Sequence, residues 1–143
     1  MDFKHGVSTT RVELGMFDGK EAVFKRFKTE SKWQREVNAY MKLSSCLFVP
    51  KLLFKSMDEK LIVTQYQGQS LNLKYKPEER QRFKEPIRKM HESLVKEYGM
   101  YHNDIRWKNV VEHENGWLYL IDFESWTPAC LGSKERDPEK ILS

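Results

Sequence analysis

Every second residue marks an extended chain at two places near the start of the sequence. Val12, Leu14 and Met16 precede Phe17-Asp18-Gly19, and Val23, Lys25 and Phe27 follow it. A period of two on either side of Asp-Gly predicts a β-hairpin over residues 10–27. From about Ser31 to Leu43 the period lengthens, with Trp33, Val37, Tyr40 and Met41 falling on one side of a short amphipathic helix that opens at Thr29 or Ser31. After Pro50, Leu52-Leu53-Phe54 and Leu61-Ile62-Val63-Thr64 flank the turn Met57-Asp58-Glu59-Lys60 and predict two more antiparallel strands. Gly68 to Pro77 is polar and predicts a connection.

A second helix is predicted from about Glu78 to Tyr98, with Phe83, Ile87, Met90 and Leu94 facing a core and Gly99 ending it. Pro86 lies inside that span, where it either bends the helix or marks its true start, because it removes a backbone donor. Val110-Val111-Glu112 and Trp117 to Ile121 are joined through Asn115-Gly116, a tight-hairpin signature. Beyond Asp122 apolar residues become sparse and the chain ends in a charged tail. The pattern as a whole is α+β, within one modest folding unit of 143 residues.

Composition narrows the classes. The chain is 39% hydrophobic, 13% aromatic and 32% charged, which is globular rather than disordered. Its net charge is +4, a weak preference for anionic ligands that a nucleotide satisfies as well as a nucleic acid. No apolar run approaches the roughly 20 residues of a membrane span. Met1-Asp2-Phe3-Lys4 does not begin a secretory signal, and Cys46 and Cys130 are expected as free thiols, so a soluble, cytoplasmic protein with no membrane partner is expected. Trp33, Trp107, Trp117 and Trp126 accompany no nucleic-acid-binding motif and read more simply as packing residues.

The chemistry is concentrated in Tyr101-His102-Asn103-Asp104-Ile105-Arg106-Trp107-Lys108-Asn109-Val110, followed by Leu120-Ile121-Asp122-Phe123-Glu124. Singly, such Asp and Asn residues are usually turn formers. In this order the two segments resemble the protein-kinase catalytic loop, His-Arg-Asp with an Asn five residues after the Asp, and the later Asp-Phe-Gly. Ala22-Val23-Phe24-Lys25 is similar to the family's Val-Ala-Ile-Lys strand, and Leu61 to Tyr66 resembles the strand that leads into the adenine-binding hinge.

The resemblance spans residues 6 to 124 and implies a protein-kinase-like fold. An antiparallel N-lobe sheet with one helix (about 1–66) is followed by a reduced C-lobe of one long helix, catalytic loop and β-hairpin (about 67–124), then a tail (125–143). It implies ATP and Mg²⁺ as cofactors. Asp104 would orient the acceptor hydroxyl and accept its proton, Arg106 would neutralise the transferring phosphoryl group, and Asn109 and Asp122 would hold the metal. Lys25 would reach the α- and β-phosphates, with Glu36 on the following helix as its acidic partner, or Glu30 failing that. Val23 and Thr64 would line the adenine pocket, the backbone around Tyr66 would meet the purine edge, and His102 would brace the loop.

The sequence departs from the family in three respects. The phosphate-covering loop offers only Gly6, with Ser8, Thr9 and Thr10 as substitute donors, as in aminoglycoside-phosphotransferase-like kinases. Glu124 replaces the glycine of Asp-Phe-Gly, which implies a fixed rather than switching segment. No Ala-Pro-Glu follows, so a peptide would have to dock differently. The implied activity is γ-phosphoryl transfer to a hydroxyl of a protein or small molecule; the alternative is a nucleotide-binding pseudokinase that acts as a regulatory, protein-binding module. A reduced C-lobe also predicts that Phe83, Ile87, Met90 and Leu94 stay partly uncovered, inviting a second copy or a partner protein.

Overall fold

The computed structural model describes residues 10–129. The chain is a mixed α+β protein with antiparallel sheets and few helices, and its contacts divide it into two units that meet between Tyr66 and Gln67. No helix among the described residues is long and apolar enough to cross a membrane.

In the first unit, β1 (Arg11–Phe17) and β2 (Lys20–Arg26) form the hairpin around Asp18-Gly19. Both turn residues have positive φ, 52° and 81°, the conformation that the right-handed twist of a two-residue turn demands. The strand β4 (Leu61–Gln65) pairs with β2 and with β3 (Leu52–Ser56), giving a four-stranded sheet in the order β1-β2-β4-β3.

The helix α1 (Glu30–Lys42) starts where Thr29 Oγ1 accepts the Lys32 amide at 3.3 Å, and Glu30 sits in the first turn, where a negative charge suits the helix dipole. Its inner face buries Trp33, Glu36, Val37, Ala39 and Tyr40. The Trp33 indole N–H donates to the Leu61 carbonyl at 3.0 Å, tying the helix to β4. Full burial of an apolar side chain of the size of Val37 or larger contributes about 1.5–3 kcal/mol.

The register sorts the sheet residues onto two faces. Ala22, Phe24 and Val63 share one face, where Phe24 lies 6.4 Å from Phe17 and Phe17 lies 5.9 Å from Phe54, centroid to centroid. Gly15 is required here, because a Cβ on it would come within 2.9 Å of the Phe24 ring. The opposite face carries Val12, Leu14 and Met16 of β1 with Lys25 and Val23 of β2. The alternation in β1 therefore marks a strand but not a buried one, since Leu14 and Met16 are 59% and 64% exposed.

In the second unit, two-residue β5 (Gln69–Ser70) leads into the single-turn α2 (Leu71–Lys74), a 3-10 segment (Pro77–Phe83) and α3 (Lys84–Tyr98). The helix predicted from Glu78 thus begins six residues later as α-helix. Pro86 falls in the first turn of α3, where its missing N–H has no intrahelical partner to lose. Gly99 closes α3 at φ 63°, and its N–H bonds back to the carbonyls of Leu94 and Val95. Phe83, Ile87 and Leu94 are 7%, 1% and 0% exposed within the chain itself and Met90 is half-buried, so of the four residues expected to call for a second copy or a partner only Met90 stays partly uncovered.

Next come β6 (Met100–Tyr101), a 3-10 turn at Trp107–Asn109, β7 (Val110–Glu112) and β8 (Leu118–Leu120). The β7-β8 turn closes over three residues, with His113 N–H on the Trp117 carbonyl at 2.9 Å and Gly116 at φ 88°. Beyond Asp122, where the sequence predicts only tail, β9 (Thr127–Pro128) pairs antiparallel with β6. Gln69 and Ser70 likewise pair with Glu112 and Val111, so part of the predicted connection is an edge strand.

Candidate functional site

In the first unit the residue types of interest meet on one face of the sheet. Lys25 on β2 stands between Val12 on β1 and Ile62 on β4, and one step along the same face Leu14, Val23 and Thr64 form a second row. The lysine is 8% exposed, which is rare for a cation without a counter-charge. Glu36, one face-turn into α1 and 1% exposed, supplies it: Lys25 Nζ donates to Glu36 Oε1 at 2.8 Å and Oε2 at 3.1 Å. The Phe27 ring lies 5.2 Å from the same ammonium. Between the two candidate acids the geometry selects Glu36; Glu30 is exposed at the helix start.

Around this pair the face is apolar and partly open. Val23 is half-buried and Thr64 is 6% exposed, while Leu14 and Met16 of β1 are left largely bare. Tyr66, just past β4, is half-buried. Gly6 lies outside the described residues.

In the second unit the loop after β6 is organised from within by His102, which is fully buried. The Asp104 backbone N–H donates to His102 Nδ1 at 3.0 Å, which requires that nitrogen to be unprotonated. The proton is therefore on Nε2, which donates to the Ile121 carbonyl at 2.9 Å. One neutral imidazole thereby fixes the residue before Asp122 and the backbone of Asp104 together. Phe123 packs edge-on against the same ring at 4.8 Å between centroids.

Asn109 completes the loop. Its Nδ2 donates to the Asp104 carbonyl at 2.8 Å and to Asp104 Oδ2 at 3.2 Å, and its own carbonyl accepts the Ile121 N–H at 2.9 Å. Arg106 Nε lies 2.6 Å from Asp104 Oδ1 as an ion pair, out of line for a hydrogen bond, so this buried oxygen keeps its acceptor capacity. The Arg106 side chain is itself 53% exposed. Asp122 follows Ile121 with φ 66°, a left-handed conformation that takes the backbone out of the extended path of β8.

The second unit thus brings Asp104, Arg106 and Asn109 into direct contact and leads Asp122 out from the strand hydrogen-bonded to Asn109. The first unit brings Lys25, Glu36, Val23 and Thr64 onto or against one sheet face. Sequence reasoning passed over Asn103. It is 9% exposed, has φ 69°, and donates through Nδ2 to the Ser125 carbonyl at 3.1 Å and to Thr127 Oγ1 at 2.8 Å. Nothing in the local pattern distinguishes it from a turn former, because its partners lie more than twenty residues away on a strand that the pattern also hides.

Of the tryptophans, Trp33 and Trp107 are buried and Trp117 is exposed on the β7-β8 turn. Neither a protein-family model nor a curated protein sequence matches this chain, so its functional reading rests on residues and geometry.

Proposed function

We propose that this chain is an ATP- and Mg²⁺-dependent phosphotransferase with a minimal protein-kinase-like fold, which moves the γ-phosphoryl group to a hydroxyl of a protein or small molecule. The observation that supports this most is the buried Lys25–Glu36 pair on a sheet face with an open apolar strip beside it. A lysine held straight by a buried carboxylate presents a fixed positive charge to a diphosphate. Leu14, Val23 and Thr64 offer a planar base a surface of the right polarity.

The oxygen donors of the second unit fit a hard divalent cation. Asp122 contributes a carboxylate, and Asn109 has its Nδ2 committed to Asp104, which leaves Oδ1 as the atom for a metal. Magnesium bound there would offset charge on the β- and γ-phosphates. Asp104 would hold the acceptor hydroxyl. As that oxygen bonds to the γ-phosphorus and the bond to the bridging oxygen of the departing ADP breaks, the hydroxyl proton passes to the Asp104 carboxylate. Arg106, exposed and tethered to Asp104 through Nε, keeps its remaining N–H donors for the equatorial phosphoryl oxygens.

Calorimetric titration with a non-hydrolysable ATP analogue in Mg²⁺ tests the binding half of this reading. Lys25→Ala and Asp122→Ala should each weaken binding by about tenfold or more, as expected for loss of a charge-assisted contact. Asp104→Ala should bind normally. Failure of the parent protein to bind would sink the reading. Binding without any turnover would favour the regulatory module instead.

A further inference from the structure

We propose that Asn103 is a positioning residue, a latch that fastens the segment after Asp122 to the loop carrying Asp104, so that both carboxylates are held ready without any change in that segment. This inference deepens the phosphotransferase reading and rests on it for its consequence in turnover, though the latch itself is a statement about the fold.

Three sets of contacts close the chain between Asn103 and Thr127. The strands β6 and β9 pair Tyr101 with Thr127 and Met100 with Pro128, and the Ala129 N–H reaches the Gly99 carbonyl at 2.8 Å. The His102 ring bridges Asp104 and Ile121. Asn103 then places both of its side-chain N–H donors on the far side, on the Ser125 carbonyl and Thr127 Oγ1. Every residue assigned to transfer in this unit, namely Asp104, Arg106, Asn109 and Asp122, lies inside the loop so closed.

The backbone at Asn103 is left-handed, at φ 69°, a conformation that asparagine tolerates better than most residues. What shows that the side chain is held in place is its Oδ1, which is buried with no hydrogen-bond donor. The orientation of the amide is not in doubt, because the Ser125 carbonyl can only accept and so must face Nδ2. A buried acceptor left without a partner is unfavourable, and it persists here where two donations from the same amide span segments distant in sequence. Glu124, in place of a flexible glycine, agrees with a segment kept in one state.

The test uses the full chain and three variants. Asn103→Gly keeps the left-handed backbone and deletes the amide; Asn103→Asp keeps the shape and turns both donors into acceptors; Thr127→Val removes one acceptor from the other side. Hydrogen–deuterium exchange is read over residues 122–128 with α1 as internal reference. Loss of two neutral hydrogen bonds should speed exchange there by about tenfold or more in both Asn103 variants, and less in Thr127→Val, with α1 unchanged. In the turnover assay the half-saturating Mg²⁺ concentration should rise with the apparent KM for ATP held. Exchange at the parent rate in Asn103→Gly would overturn the latch. Faster exchange with an unchanged Mg²⁺ requirement would overturn its role in positioning. A parent protein without turnover would fail the phosphotransferase reading and with it the positioning role, while the exchange data still decide whether the latch exists.

Discussion

Lys25 and Glu36 are eleven residues apart in sequence and in bidentate contact, at 2.8 and 3.1 Å, with the glutamate 1% exposed. Two charges so far from water are a poor way to stabilise a sheet, since their desolvation offsets much of their attraction. Apolar residues of similar volume would hold the helix to the strand at least as well. On the phosphotransferase reading, the pair serves to hold an ammonium in place for a ligand rather than to stabilise the fold.

That distinction is measurable. Glu36→Ala, which strands the lysine, should destabilise the protein by about 3–5 kcal/mol in urea unfolding, whereas the double change Lys25→Met with Glu36→Leu should recover most of that loss. Nucleotide binding should be lost in both. Recovery of binding along with stability would mean that the pair is structural only.

His91 gives the fold a dependence on pH. Burial, chiefly, lowers its pKa from 6.5 to about 4, with Glu92 pulling weakly the other way. Because the folded value lies below the unfolded one, the unfolded chain binds the extra proton between these limits. Stability is then fully present above about pH 6.5 and falls as pH drops toward 4, by up to about 3 kcal/mol for this group. Denaturant unfolding at pH 7.5 and pH 5 should show the loss in the parent protein and a smaller one in His91→Leu. Equal losses in the two would assign the effect to other groups.

Two glycines separate steric need from conformational convenience. At Gly68, with φ 115°, a Cβ would lie 2.1 Å from the Glu112 carbonyl oxygen, so the backbone itself is in the way. At Gly99, with φ 63°, the space is open. Gly68→Ala should cost at least about 3 kcal/mol and loosen the β5-β7 pairing, while Gly99→Ala should cost about 1 kcal/mol. Comparable melting temperatures for the two variants would contradict the close approach at Gly68.

What the sequence made legible follows the range of the interactions concerned. The Asp18-Gly19 hairpin and the C-terminal stop at Gly99 are decided by neighbours in the chain and appear where the pattern puts them, and the cap falls on Thr29, one of the two starts the pattern offers. Pro86 lies close to the true start of α3, one of the two outcomes its position allows, but only the packing decides that the turns before it wind as 3-10 helix. The β6-β9 pairing was invisible because two residues carry no period. With it went the meaning of Asn103, whose partners come from that strand. Leu14 and Met16 show a different limit: alternation reveals a strand and says nothing of whether the apolar face meets a core or stays open. For the candidate site, order and spacing brought out the residue types and already preferred Glu36 to Glu30; what they do not give is the bidentate contact, which depends on the side of α1 that faces β2.

The account stands or falls on phosphoryl transfer itself. The direct measurement is release or transfer of labelled γ-phosphate from ATP with Mg²⁺, comparing the parent chain with Asp104→Ala and Asp122→Ala at equal folded concentration. Turnover by the parent is expected, with a fall of about 10²-fold or more in each variant, the range for loss of a positioned acid–base or metal-holding group. A parent protein that neither binds nor turns over ATP, or turnover indifferent to both substitutions, would contradict it.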